Sequence, residues 1–413
     1  MSTRIVVVGG GTAGARLAQR LPVTLLGEEP HAPYNRVLLA DVLAGRYAPE
    51  VIALPGTREP VRLGTRAVRI DRAARTVACA DGSVVGYDRL VLATGSNPVL
   101  PPLRGLRGAA LPSGVHAFRT LDDCLSLRAL VRPGVRAVVI GGGLLGVSAA
   151  RALAERGADV VLTQQGERLM ERQLDEQASA LLREHVEALG VEVHTECRVS
   201  GLRQRDGAVT AVELADGFVL DATVVVLACG VRPRVALARE AGLTVARGVV
   251  VDDELRTSDP YIHAIGDCAE HAGRVYGLAG PALDQADVLA AVLADLPPSV
   301  ARTRPALGER TPATARYEGT RALTRLTLTG PRPLDLASFG QVTPDPGDDV
   351  VQLTDATRSA YRKVVVRGDR LVGGVLLGDL AAVGTLARAW EGDEALPDEA
   401  PLLHLLTHDG GSS

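Results

Sequence analysis

The chain has 413 residues, room for two to three domains of about 150 residues each and too many for one small module. A hydrophobic share of 46% and a charged share of 23% exclude a disordered, collagenous or coiled-coil chain, and no uncharged stretch reaches the ~18 apolar residues of a membrane helix. With 45 basic against 49 acidic side chains, a net charge of −4 and no long basic run, nothing marks a nucleic-acid surface.

The N-terminus, MSTRIVVVGGG, runs at once into a predicted strand and lacks the apolar core and cleavage site of a signal peptide. That strand ends in Gly9, Gly11 and Gly14, spaced G-x-G-x-x-G around Thr12 and Ala13, and a helix is predicted over Ala15–Leu21. In this arrangement the first glycine makes a tight turn, the second admits a pyrophosphate and the third lets helix and strand pack closely. The unpaired amides at the helix start then face the phosphates. After the next predicted strand, Val23–Leu26, stands Glu28, where a carboxylate can accept the hydroxyls of an adenosine ribose. The pattern predicts a bound dinucleotide.

Further on, LVLATGSNP carries Thr94 and Gly95. Then the opening repeats: AVVIGGGLLG supplies Gly141, Gly143 and Gly146 before a predicted helix over Val147–Arg156, and VVLACGVRP carries Gly230 as LVLATGSNP carries Gly95. A tandem duplication constrains architecture more than one motif can. At the ribose position of the second copy the expected acid is replaced by Gln164. A carboxamide can bond a ribose hydroxyl but neither repels nor attracts a 2′-phosphate strongly, so NADH and NADPH both stay open. A helix is predicted over Asp175–Leu189. The segment TSDPYIHAIGDCAEH then places Gly266 and Asp267 at the end of a late strand, where flavin sites need a carboxylate for a ribityl hydroxyl.

Short β-branched strands alternating with helices predict βαβ units on parallel sheets, hence an α/β fold built of two tandem Rossmann-like dinucleotide-binding domains. Beyond the proline-rich stretch from Leu296 to Pro312 the texture turns to alternating strands, with a hairpin turn at Arg367–Arg370 and a helix over Leu380–Trp390. A C-terminal α+β domain with a frayed HDGGSS tail is expected there. Five cysteines, Cys79, Cys124, Cys197, Cys229 and Cys268, are scattered, odd in number and never spaced C-x-x-C. That spacing yields neither a disulfide framework nor a metal site, and reduced, cytoplasmic thiols fit it best.

On these residues the chain resembles the two-dinucleotide-binding flavoprotein reductases. Within them it is similar to the FAD-containing N-terminal part of the large subunit of assimilatory NAD(P)H nitrite reductase. The narrower likeness rests on GEEPHAPYNRVLLADVLAG (Gly27–Gly45), GDCAEHAGRVYGLAGPALDQADVLA (Gly266–Ala290) and VVQLTDATRSAYRKVVVRGDRLVGGVLLGD (Val350–Asp379). The resemblance implies an NAD(P)H-binding domain over residues 118–242 inserted into an FAD-binding domain of residues 1–117 and 243–312, with residues 313–413 as an interface domain. It also implies that Arg36 lies near the flavin and pyrophosphate, that the Val68 backbone meets adenine, that Thr94 and Gly95 link the domains, and that Gly280–Gln285 starts a helix aimed at the flavin. Asp41 and Ser148 stand where many relatives carry a lysine–glutamate pair.

The implied activity is hydride transfer from NADH or NADPH to FAD and onward passage of electrons to a separate redox protein, with no obligatory acid, base or metal. By resemblance the acceptor is a nitrite or nitrate reductase component, a ferredoxin or a rubredoxin. Full-length nitrite reductase subunits continue into iron–sulfur and sirohaem domains, whereas no cysteine follows Cys268, so this chain is not expected to reduce nitrite alone. No disulfide-forming pair is expected beside the flavin. No membrane or nucleic-acid partner is expected, and a homodimer is left open. Two other readings stand beside this one: a self-contained NAD(P)H oxidase, and an FAD-binding subunit without nicotinamide turnover.

Overall fold

A computed structural model describes residues 3–106, 110–294, 315–321, 323–330, 333–355, 357–393, 395–396 and 406. The proline-rich stretch and the HDGGSS tail lie outside these residues. The chain divides into two compact units, one of residues 1–37, 48–97 and 231–320, the other of residues 38–47, 98–230 and 321–413.

The first unit is built on a four-stranded parallel sheet in the order Ile262–Ala264, Arg89–Leu92, Ile5–Val8, Thr24–Leu26. Ile5 pairs with Arg89, Val6 with Thr24 and Ile262 with Leu90. All four residues of Ile5–Val8 are buried, the mark of a strand covered on both faces. Helix Thr12–Arg20 contributes Leu17 and helix Ala279–Ala294 contributes Leu289 to the same core as Val7, Leu90 and Ile262. Arg16 and Arg20 both clasp Asp287 across the two helices, at 2.8 and 2.9 Å. A three-stranded antiparallel sheet of Ala67–Asp71, Thr76–Cys79 and Val84–Gly86 completes the unit's main sheets.

The second unit repeats the plan with five parallel strands, in the order Val191–His194, Asp159–Thr163, Arg136–Ile140, Val224–Leu227, Val115–His116. Val115 pairs with Val225, which makes Val115–His116 the edge strand of this sheet. The short helix Leu39–Ala44 also belongs here, and Cys124 of helix Leu121–Leu130 donates its thiol hydrogen to the Leu39 carbonyl at 3.4 Å.

The same unit holds a five-stranded antiparallel sheet ordered Thr324–Leu328, Leu334–Gly340, Arg370–Leu377, Ala360–Arg367, Asp349–Asp355. The expected hairpin turn is present: Arg367 pairs with Arg370 across Gly368, whose φ of +59° suits glycine. Helix Val383–Glu391 packs Trp390 on Phe339 with ring centroids 5.3 Å apart. Asp175 ties this sheet to the parallel one: it caps helix Glu176–Ala188 through the Ala178 amide while accepting Tyr361 Oη at 2.6 Å and Lys363 Nζ at 2.8 Å. Among the described residues no helix is long and apolar enough to cross a membrane.

Candidate functional site

The two glycine turns obey one steric rule. A Cβ on Gly9 (φ +120°) would lie 2.1 Å from the Ala93 carbonyl oxygen, and one on Gly14 would lie 2.0 Å from the Gly9 oxygen. In the second unit a Cβ on Gly141 (φ +112°) would lie 2.5 Å from the Ala228 oxygen, and one on Gly146 would lie 1.7 Å from the Gly141 oxygen. The middle glycines differ in kind, since a Cβ on Gly11 or Gly143 would meet nothing within 4 Å. The outer glycines are thus demanded by the fold, while the middle ones keep an open face for something else to approach.

Gly11 and Gly143 are also the N-caps of helices Thr12–Arg20 and Leu144–Glu155, and neither receives a side-chain cap. The first-turn amides, those of Thr12 and Ala13 included, have no acceptor within their helix. Ala13 is buried under Gly266, where an added Cβ would come within 3.0 Å of the Ala13 methyl. Asp267 follows in the turn Gly266–Cys268 and accepts Ser96 Oγ at 2.8 Å. Buried Gln285, in the opening turns of helix Ala279–Ala294, holds this turn by accepting the Gly266 amide at 2.7 Å.

Around the first turn the structure adds partners that spacing does not reveal. Both oxygens of Glu28 are held by the Arg234 guanidinium, Nη1 on Oε2 and Nη2 on Oε1. Neighbouring Glu29 accepts Tyr34 Oη at 2.6 Å and also pairs with Arg36, whose Nη1 donates to Tyr34 Oη at 3.0 Å. Arg36 therefore sits in a closed triad. Thr94 Oγ1 donates to the Arg234 carbonyl at 2.7 Å, and the Arg234 amide donates to the Gly95 carbonyl at 2.9 Å. Val68 is the extra residue of a bulge, between the pairs Ala67–Cys79 and Arg69–Ala78, the kind of irregularity that releases backbone groups from a ladder.

In the second turn Gln164 Oε1 accepts the Gly142 amide at 2.8 Å, and the Met170 amide donates to the Gly142 carbonyl at 2.9 Å. The loop after the strand thus grips the middle of the glycine run from both sides. Met170 reaches this bond with a left-handed φ of +49°, an uncommon conformation for so large a side chain. Gly9 donates to Leu26 as Gly141 donates to Thr163, so Gln164 matches Gly27 and Glu28 stands one residue further along. Gly230, like Gly95, has a positive φ with open space around it, +96° against +70°.

Asp41 and Ser148 do not pair. Ser148 Oγ donates back to the Leu144 carbonyl at 2.8 Å. Asp41 Oδ1 instead accepts Arg151 Nη2 and Thr329 Oγ1, each at 2.9 Å. Arg151, 1% exposed and one helical turn beyond Ser148, also meets Glu155 at 3.1 Å. The sequence reading missed this buried arginine, because an arginine inside a helix looks like a solvated charge until its tertiary partners are known.

All five cysteines are free. Burial pushes the Cys229 thiol up to about 11 and raises that of Cys268, so neither is a ready thiolate at neutral pH. Among the described residues no group of three or more His, Cys, Asp or Glu is placed to hold a metal.

Comparison with known proteins fits this geometry. The family model for pyridine nucleotide-disulphide oxidoreductases matches residues 3–286, and the one for the rubredoxin NAD+ reductase C-terminal domain matches residues 324–392. A nitrite reductase [NAD(P)H] of Bacillus subtilis is 34% identical over 99% of this chain and 50% of its own length. The assimilatory nitrate reductase electron transfer subunit of the same organism is 32% identical over 91% of this chain and 48% of its own. The chain thus spans about half the length of these relatives. Among solved structures, that of the covalent putidaredoxin reductase–putidaredoxin complex superposes with a TM-score of 0.81 at 26% identity, covering 99% of both chains.

Proposed function

This chain belongs to the pyridine nucleotide-disulphide oxidoreductase family, and on that footing we propose that it is an FAD-dependent NAD(P)H oxidoreductase that hands electrons to a separate redox protein. The observation that carries the reading is the duplicated turn, with its outer glycines locked against carbonyls and its middle glycines, Gly11 and Gly143, open. Two such turns at the carboxyl ends of parallel strands fit two pyrophosphates, and thus two dinucleotides in one chain.

FAD is assigned to the first unit and NADH or NADPH to the second, as tandem Rossmann-like domains. We take the FAD-binding parts as residues 1–117 and 243–312, the NAD(P)H-binding part as 118–242 and the C-terminal domain as 313–413, while the compact units group 38–47 and 98–117 with the second unit and 231–242 with the first. In the first unit the amides of Gly11, Thr12 and Ala13 take the pyrophosphate, Glu28 the adenosine ribose, Val68 the adenine through its backbone, and Asp267 a ribityl hydroxyl. Gly9, Gly14 and Gly266 permit the approach, Arg36 lines the phosphate side, and Thr94 with Gly95 borders it. In the second unit Gly141, Gly143 and Gly146 form the matching cradle, Gln164 offers its amide group to a ribose, and Gly230 leaves room as Gly95 does.

Bound FAD supplies the conversion of a two-electron hydride into single electrons. The protein's part is to bind, orient and exclude water, and no side-chain acid or base is assigned. Free cysteines far apart in sequence, with the Cys229 and Cys268 thiols raised by burial, argue against disulfide reduction in spite of the family's name. The names of its relatives and of the matched C-terminal domain support as acceptor a component of nitrite or nitrate reduction, a ferredoxin or a rubredoxin. The reading extends to a cytoplasmic protein, and light scattering decides between a monomer and a homodimer, which it leaves open. Its main test is anaerobic mixing of the yellow protein with NADH or NADPH. Rapid bleaching of flavin absorbance by either supports the reductase, and no bleaching while FAD stays bound sinks it in favour of a subunit without turnover. Fast oxygen consumption without any partner would point to a stand-alone oxidase.

A further inference from the structure

We infer that Arg234 is a positioning residue for the adenosine end of the bound flavin dinucleotide, acting through Glu28. The inference rests on the assignment of FAD to the first unit. Glu28 lies just past strand Thr24–Leu26, whose last carbonyl receives the Gly9 amide at 2.9 Å, so its carboxylate borders the first glycine turn. A carboxylate on an exposed turn would ordinarily sample several rotamers. Here the planar fork of Arg234 takes one acceptor site on each oxygen. A carboxylate has about four such sites, so two stay free for the paired hydroxyls of a ribose.

Arg234 is itself anchored. Its amide donates to Gly95 and its carbonyl accepts Thr94 Oγ1, at 2.9 and 2.7 Å, and the preceding Pro233 stiffens the approach. The two side chains are 39% and 41% exposed, a setting in which an ion pair contributes little to folding. A two-pronged pair anchored through its backbone at the rim of a ligand turn, yet of small worth to the fold, points to ligand orientation as its role. In the second unit Gln164, which matches Gly27 rather than Glu28, is held by the Gly142 amide instead. Arg234 stands in no glycine motif and follows from none of the spacing that identifies Glu28.

The test is a double-mutant cycle on FAD release, read as free-flavin fluorescence on dilution of holoprotein carrying Glu28→Gln, Arg234→Gln or both. Both substitutions keep the backbone bonds to Thr94 and Gly95. If Arg234 acts through Glu28, each single variant raises the FAD dissociation constant about tenfold and the double variant also stays near tenfold. Arg234→Lys, which keeps the charge but loses the fork, recovers part of the loss. Independent effects that multiply to about a hundredfold, or an Arg234→Gln protein that holds FAD as tightly as wild type, overturn the inference while leaving FAD binding intact. Wild-type protein that carries no FAD overturns both this inference and the assignment beneath it.

Discussion

Replacing Arg151 with Met removes the cation at the centre of a nearly closed charge cluster. The side chain is 1% exposed and bonds Asp41 at 2.9 Å, Glu155 at 3.1 Å and Thr329 Oγ1 at 2.7 Å. Without it, Asp41 and Glu155, 13% and 14% exposed, keep Arg46 as their one cation among the described residues, at 3.0 Å from Glu155 but 3.9 Å from Asp41, and Asp41 keeps the Thr329 hydroxyl at 2.9 Å. Removing one member of a buried pair costs about 3–5 kcal/mol, and the surviving Arg46 places the expected loss near the lower end, about 3 kcal/mol. For a domain of roughly 150–250 residues each kcal/mol moves Tm by about 2–4 °C, so the second unit should melt about 6–12 °C lower. Circular dichroism melts and urea titrations of the Arg151→Met holoprotein read this directly. A loss under about 1 kcal/mol would mean that water reaches both carboxylates, and the reasoning from burial would be wrong.

Other expectations follow from the same geometry. Burial alone would raise the Asp175 carboxyl, but Lys363, Tyr361 and the Ala178 amide outweigh it and hold the group below its ordinary 3.8. A depressed carboxyl stabilises the fold above its unfolded value and loses that contribution as pH falls through its folded value. Asp175→Asn should therefore lower Tm at pH 7, and its gap to wild type should shrink below about pH 4; a gap constant from pH 7 to pH 3 would contradict the assignment. Gln164→Glu keeps an acceptor for the Gly142 amide and adds a charge opposed to a 2′-phosphate, so the NADH-to-NADPH ratio of kcat/KM should rise about tenfold. An unchanged ratio would place the ribose elsewhere. Gly143→Ala, whose Cβ meets nothing within 4 Å, should leave the melt within about 1 kcal/mol of wild type while raising KM for the nicotinamide about tenfold, whereas Gly146→Ala, whose Cβ would fall on the Gly141 carbonyl, should fail to fold stably. Similar behaviour of the two variants would refute the division between structural and ligand-facing glycines.

Much of the fold was legible in the sequence because its demands are local. Gly14 and Gly146 are imposed by the carbonyl oxygens of Gly9 and Gly141, five residues back, so spacing alone finds them, whereas Gly9 and Gly141 are imposed by the distant carbonyls of Ala93 and Ala228 and show in the sequence only through the repeated motif. Helix ends were less legible. The first helix runs Thr12–Arg20 rather than Ala15–Leu21, since a bare glycine cap offers no Ser, Thr, Asp or Asn to mark its start. Helix Glu176–Ala188 came within a residue of expectation at each end because Asp175 is just such a marker. What spacing could not show were bonds between residues far apart in the chain. Glu28 with Arg234, and Asp41 with Arg151, join segments separated by whole sheets, and the carboxamide of Gln164 is committed to a backbone amide that only folding brings near.

The order of strands has a consequence for synthesis. The sheet of the first unit needs both Ile5–Val8 and Ile262–Ala264, whereas the parallel sheet of the second lies wholly between Val115 and Leu227. A chain emerging from the ribosome can close the inner sheet while the outer one still lacks its edge strand. The first glycine turn cannot tighten until Arg89–Leu92 has docked beside it, and the Gly-Asp turn arrives only after residue 264. The second glycine cradle is therefore born first and the first one last, so on the proposed assignment an interrupted chain is left with the means to hold the electron donor and nowhere to put the electrons.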